Sequence, residues 1–438
     1  MNVSRRQFLS SVGLATVAAT GRDLRAIARE PRQERSVLAF RASGDRDDTQ
    51  ALQRALAQLT NDGGGVLRLP AGRGLGRDGA YRVSGRDGLA LDATGVSILG
   101  EGEGRTVVES AGVSPVMAAP QRPAANVRVA DLTVRGEGTL MYWNGRYAAR
   151  GFAFERVTFE VEDGGIANCV HLVHDHQGVT EDFVWIDCTF RGGRRMGVEL
   201  QNHRHDLVVG DRVARYRRHR FVRPRVLDQG SMGLSFSGAG ETIEVVEPYF
   251  ERVSGALIEG VGCSSLTVRD MRVLVDGLLG TDQLIRCSNR FPSRDIVVDG
   301  LTLVSRRGRP TVGRTIVRLD NTRGFRLSRI AAAVVDLSTA RKTLEFGINH
   351  PSADGQVTDC ELSTNSPYIV GSEGCANLRL HGNRFGSTAR GEVEAVRTVD
   401  TTGPSSTVVG VNRYDFLQAR SYKPLVLLGR ATGKVELR

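Results

Sequence analysis

The stretch FVWIDCTF, Phe183–Phe190, puts apolar residues at its first and third positions, breaks at Asp187 and closes on an apolar residue. The same phrase returns as VRVADLTV, FAFERVTF, LVVGDRV, IEVVEPYF, LTVRDMRV, IVVDGLTL, FRLSRIAA, GQVTDCEL and LRLHGNRF. Their break residues are Asp131, Arg156, Gly210, Glu247, Asp270, Gly300, Arg329, Asp359 and Gly382. With Asp187 that makes ten copies, on average about 28 residues apart. A unit of that length cannot bury its own apolar face, so the copies have to stack. Between them lie further short strands, including CVHLVH (169–174), GVELQ (197–201), GLSFSG (233–238), ALIEG (256–260), QLIRC (283–287) and TIVRL (315–319). Two or three alternating strands per unit, joined by Gly, Asn and Asp turns, describe a coil whose strands pair in parallel with the next coil, about 4.8 Å away. A sandwich or barrel would space its strands about eight to twelve residues apart with no longer period. The fold expected is all-β, a single-stranded right-handed parallel β-helix.

The segment ahead of the repeats supplies an end cap. In GDRDDTQALQRALAQLTNDGGGVLRLPAG (44–72), Asp47, Asp48 or Thr49 can cap a helix, and Ala51, Leu52, Ala55, Leu56 and Leu59 give that helix one apolar stripe. Gly63–Gly65 then break it before the strand VLRLP. An open-ended solenoid needs its first coil covered in this way. Gly44-Asp45, Asp47-Asp48-Thr49, the helix, the glycine triplet, Leu69-Pro70-Ala71-Gly72 and the later GVSILGEG (95–102) together resemble the opening of the pectate-lyase-like superfamily, which includes rhamnogalacturonase-type and epimerase-like domains. The resemblance implies a right-handed β-helix with substrate across the outer face of the first strand of each coil. It leaves the reaction open, because the superfamily holds polysaccharide lyases, glycoside hydrolases, uronate epimerases and phage tailspike depolymerases.

At the N-terminus, Ser4, Arg5, Arg6, Phe8 and Leu9, followed by an alanine-rich apolar run, resemble a twin-arginine export signal with a small-residue cleavage site at Ala26-Ile27-Ala28. The resemblance implies a periplasmic or secreted protein. The organisation expected is a signal over 1–28, a cap helix and first coils over 29–110, the β-helix over 111–390 and a C-terminal coil or cap segment over 391–438. No later apolar run reaches the roughly eighteen residues needed to cross a bilayer, so no membrane anchor is expected after signal removal.

Charge suggests the partner. Net charge is +10, and the signal holds four arginines against one aspartate, so its removal leaves +7. All but three of the 59 basic residues are arginine, whose planar fork pairs two-pronged with carboxylate, sulfate or phosphate. An acidic polysaccharide fits an exported protein of this kind; nucleic acid does not, since no nucleic-acid-binding motif is present. Cys169, Cys188, Cys263, Cys287, Cys360 and Cys375 form no CxxC pair, so a zinc site is not expected, while disulfides and buried free thiols both stay open. No cofactor or metal is expected.

Taking CVHLVH, GVELQ, GLSFSG and ALIEG as first strands, with Leu172, Leu200, Phe236 and Ile258 inward, leaves two outward columns. One holds His171, Glu199, Ser235 and Leu257; the other holds Val173, Gln201, Ser237 and Glu259 and continues to Arg286 and Arg318. Glu199 and Glu259, two coils or about 10 Å apart, suit an inverting hydrolase with water between its carboxylates. His171 as base, with Arg286 or Arg318 neutralising a uronate carboxylate, suits β-elimination. An epimerase begins with the same proton abstraction, and a non-catalytic polysaccharide-binding protein needs only the recognition. Solvent-facing strand positions are commonly polar, and that plainer reading stands beside each.

Trp143, in TLMYWNGRY with Tyr142 and Tyr147, is the expected sugar platform, with coil-end packing the alternative. His203 and His205 read most simply as a solvated turn. Neither the paired aspartates, Gly-His-Gly and Arg-Ile-Lys elements of polygalacturonases nor the calcium-binding aspartate cluster of pectate lyases is present. The cluster RYRRHRFVRPR (215–225) falls in a longer interval between breaks, so Arg217, Arg218 and Arg220 are expected on an enlarged connection overhanging Glu199, as one wall of a saccharide cleft.

Overall fold

The computed structural model describes residues 33–85, 88–110, 112–162, 166–174, 176–202, 215–274, 283–287, 291–306, 311–337, 342–416 and 418–436. The expected signal over 1–28, the break Gly210 and the pair His203/His205 lie outside these residues. Every paired strand runs parallel to its neighbour, a coil away in sequence. One sheet of thirteen strands climbs from Leu89–Ala90 through Met141–Trp143, Val170–Val173, Val198–Gln201, Leu234–Ser237, Ile258–Val261, Gln283–Cys287, Thr315–Leu319 and Leu344–Phe346 to Ser421–Leu428. The strands of the repeated phrase form a second, larger sheet closing the other sides. The chain is a right-handed parallel β-helix, and its coils run into the segments on both sides of 111–390.

The break residue does the bending. Asp131, Arg156, Asp187, Glu247, Asp270, Gly300, Arg329, Asp359 and Gly382 all adopt φ between 51° and 85°. The left-handed conformation costs glycine little and aspartate less than most other residues. One such residue turns the strand and shifts the in–out alternation, so positions one, three, six and eight of the phrase all face inside: Phe183, Trp185, Cys188 and Phe190 are each fully buried. At the tenth break Arg223, with φ of 49°, stands where Gly210 was expected. FVRPRV is therefore the true copy, and the surplus residues of that interval precede it. Arginines at break positions reach the aspartate one coil below: Arg156 grips Asp131 at 2.6 and 2.8 Å, and Arg223 grips Asp187 at the same distances.

Inside, aromatic rings stack along the axis. Trp185 lies parallel to Phe154 at 4.2 Å and to Phe221 at 5.7 Å, and Phe159 to Phe190 at 5.5 Å. The cap helix, Thr49–Asn61, buries the expected stripe of Ala51, Leu52, Ala55, Leu56 and Leu59 over the first coil. Asp48 occupies its N-cap, but its carboxylate is turned elsewhere: it accepts the Leu75 and Arg82 N–H groups at 2.8 and 3.0 Å and pairs with Arg41. The acidic turn that carried the family resemblance thus fastens the cap to the coils. All six cysteines are buried free thiols, and burial pushes the Cys169, Cys188, Cys263 and Cys375 thiols up to about 12.

Candidate functional site

The outward residues of the thirteen-stranded sheet form one column, rung by rung: Tyr142, His171, Glu199, Ser235, Glu259, Arg286, Arg318, Glu345, Gly371 and Arg397. Glu259 pairs across to Ser235, and Ile258 to Leu234. The expected alignment of Ile258 with Phe236 slips by two residues. A slip of two keeps inward residues inward, so apolar alternation does not detect it. It moves Glu259, Arg286 and Arg318 into the column of His171 and Glu199, while Gln201 stays in the neighbouring one between Val173 and Ser237.

Glu199 and Glu259 point outward yet are only 5% and 7% exposed, so neighbouring side chains crowd around both carboxylates. His171 Nε2 is 3.2 Å from Glu199 Oε2 and 3.4 Å from Gln201 Oε1. The same Glu199 oxygen accepts a hydrogen bond from Asn168 Nδ2 at 2.8 Å and faces Arg195 Nη2 at 3.6 Å. Asn168 is fixed in turn by the Met196 N–H, 3.0 Å from its Oδ1. Asn168 and Arg195 belong to turns just ahead of their strands, where in–out alternation carries no signal. Glu259 accepts from the Ser235 hydroxyl at 3.0 Å and from Arg286 Nε at 3.0 Å. Arg318 holds the buried Asp320 at 2.8 Å. Both expected uronate-binding arginines thus have a carboxylate of the protein beside them.

Trp143 is no sugar platform. It is fully buried, edge-on to Phe152 at 5.4 Å and Phe183 at 5.6 Å. In the strand Met141–Trp143 the outward member is Tyr142, 38% exposed and edge-on to the His171 ring at 5.8 Å. The arginine cluster is likewise placed differently. Tyr216–Val222 is a strand of the larger sheet, bent at Arg218 (φ 53°) and paired with Thr180–Glu181 and Val184–Ile186 on one side and Glu241–Val246 on the other. Arg217 pairs with Glu181 at 2.7 Å, Arg218 with Asp182 at 2.6 Å and Arg220 with Glu244 at 2.9 Å. These side chains tie coils together on another face and do not wall the cleft.

In its overall course the chain is similar to PfbA, a surface adhesin of Streptococcus pneumoniae, at 12% identity over 91% of this chain and 93% of that one, with a TM-score of 0.50. It is also similar to the A-module of a mannuronan C-5 epimerase from Azotobacter vinelandii (16% identity, 92% and 100% covered, TM-score 0.47). A third is the catalytic unit of a GH87 alpha-1,3-glucanase from Streptomyces thermodiastaticus (16% identity, 93% and 70% covered, TM-score 0.47). At these identities what is shared is the fold. No family model and no curated protein matches the chain.

Proposed function

We propose that this is an exported carbohydrate-active β-helix enzyme that binds an acidic polysaccharide along the outward column and cleaves it by β-elimination. The observation carrying this reading is the His171–Glu199 pair, a histidine oriented by a buried carboxylate on the open side of the thirteen-stranded sheet. His171 takes the proton alpha to a uronate carboxylate. Those electrons form the new double bond as the glycosidic C–O bond breaks, and the leaving oxygen takes up a proton. Arg195, about half exposed and beside Glu199, supplies positive charge for the enolate-like intermediate.

Hydrolysis by Glu199 and Glu259 is less well supported, because it needs one carboxyl that arrives carrying a proton. Every hydrogen-bond or ion-pair partner found for these two carboxylates is a donor or a cation. From His171 to Arg397 the column spans eight coil steps, about 38 Å, the reach of a polymer and not of a single sugar.

Incubation with a panel of acidic exopolysaccharides tests the reading. Ultraviolet-absorbing unsaturated ends, lost in His171→Ala and strongly reduced in Glu199→Gln, are the expected result. New reducing ends without that absorbance mean hydrolysis, and unchanged length with altered sugar configuration means epimerisation. Tight binding without turnover, equal in wild type and Glu199→Gln, leaves only a binding protein.

A further inference from the structure

Three coils beyond Glu259, about 14 Å along the axis, Glu345 stands on the same column between Arg318 and Gly371. Four charged groups act on it, and they are already coupled to one another: Arg318 to Asp320 at 2.8 Å, and Lys342 to Glu373. The second oxygen of Asp320 accepts the Ile348 N–H at 2.7 Å. Gly371 carries no side chain, and the stem of Lys342 fills the place where one would stand. That path carries the ammonium to Glu373. Among the described residues no donor is hydrogen-bonded to the Glu345 carboxyl, half-buried though it is. Two cations thus face three carboxylates, and Glu345 is the one left over. An unpaired charge in such a place is costly, and a proton removes the cost. Burial accordingly pushes the Glu345 carboxyl up, with Asp320 and Glu373 acting the same way and Arg318 and Lys342 against it.

We propose that this rung is a subsite for a carboxylate-bearing sugar unit, which Glu345 admits when it carries its own proton. The inference rests on the reading of the cleft as an acidic-polysaccharide site and specifies how one subsite selects the anion. With Glu345 ionised, an incoming carboxylate meets three carboxylates against two cations. With Glu345 protonated the charges balance, and its O–H donates to the sugar carboxylate. Proton and anion reinforce each other's binding, so affinity rises as pH falls through the Glu345 titration. A neutral sugar feels no such repulsion.

Calorimetric titration of the full chain with short oligogalacturonate, oligomannuronate and a neutral cello-oligosaccharide, at about pH 5 and about pH 7.5, tests this; a sugar carboxylate is ionised at both. Wild-type affinity for an oligouronate should fall severalfold between the two. Glu345→Gln, which mimics the protonated acid, should hold the low-pH affinity at both. An equal fall in Glu345→Gln, or none in wild type, overturns the inference alone. If neither oligouronate binds at either pH, the acidic-polysaccharide reading falls, and this subsite with it. Should Glu345→Gln not fold, the wild-type contrast decides: a pH dependence as large for the neutral sugar as for the oligouronates overturns the proposal.

Discussion

The first position of the repeated phrase builds an interior stack that runs Val127, Phe152, Phe183, His219, Ile243 and Leu266, and one member of it is an imidazole. His219 is fully buried and stacks on Phe183 at 4.9 Å. His174, equally buried, is joined to it through Thr180: the threonine Oγ1 is 2.9 Å from His174 Nε2 and 3.0 Å from His219 Nε2. The chain of bonds has one direction when both rings are neutral. His174 Nδ1–H donates to the Gln201 carbonyl at 3.0 Å, the Thr180 hydroxyl donates to His174, and His219 Nε2–H donates to Thr180. A second proton on His219 would fall on Nδ1, which has no partner.

Burial is the main cause pushing both rings down, His174 to about 4 and His219 to about 3. Arg215 and His171 add to this at His174, as does His174 at His219, while the Gln201 and Thr180 carbonyls and Asp182 oppose it. Because both folded values lie below the ordinary 6.5, the stability they contribute is complete above pH 6.5 and drains away as pH falls toward 4. Each pH unit in that window costs about 1.4 kcal/mol per imidazole, hence about 2 kcal/mol each at pH 5. Replacing His219 by Phe, the residue found at this position in the two preceding coils, removes one of the two titrations. Urea unfolding of wild type and His219→Phe at pH 7 and pH 5 measures it. The variant should lose about 2 kcal/mol less than wild type between those pH values, whatever its own stability at pH 7. Identical losses in the two proteins would refute the reasoning.

Three further outcomes follow from the packing and the ion pairs. Trp143→Ala should destabilise by about 3–5 kcal/mol, the cost of emptying a buried aromatic site, in thermal or urea unfolding. Tyr142→Ala should leave unfolding nearly unchanged and weaken glycan binding, the reverse of what a Trp143 platform requires. Neutralising Arg217, Arg218 and Arg220 together should leave affinity for acidic oligosaccharides unchanged by calorimetry, since each is already paired on another face. The cost in stability should be within about 1 kcal/mol per pair, as for exposed ion pairs.

What could be read from the chain alone was whatever depends on neighbours in sequence. Alternation with period two and a left-handed break recurring in each coil are local, so the β-helix, the helix stripe of Ala51, Leu52, Ala55, Leu56 and Leu59, and the outward direction of His171, Glu199 and Glu259 were legible there. Alternation carried no further than direction. Trp143 sits one residue from Tyr142, and a misassigned parity exchanged core for surface. Which rung meets which depends on how many residues each turn consumes, and that is settled only when coils pair 4.8 Å apart. Tertiary structure therefore decided that Glu259 shares a column with His171. It also decided that Asn168 and Arg195 reach Glu199 from preceding turns, that the arginine cluster is spent on Glu181, Asp182 and Glu244, and that Glu345 is left without a counter-ion. The pairs that hold the arginine cluster join residues 24 to 36 positions apart, and only the winding of the chain brings them into contact.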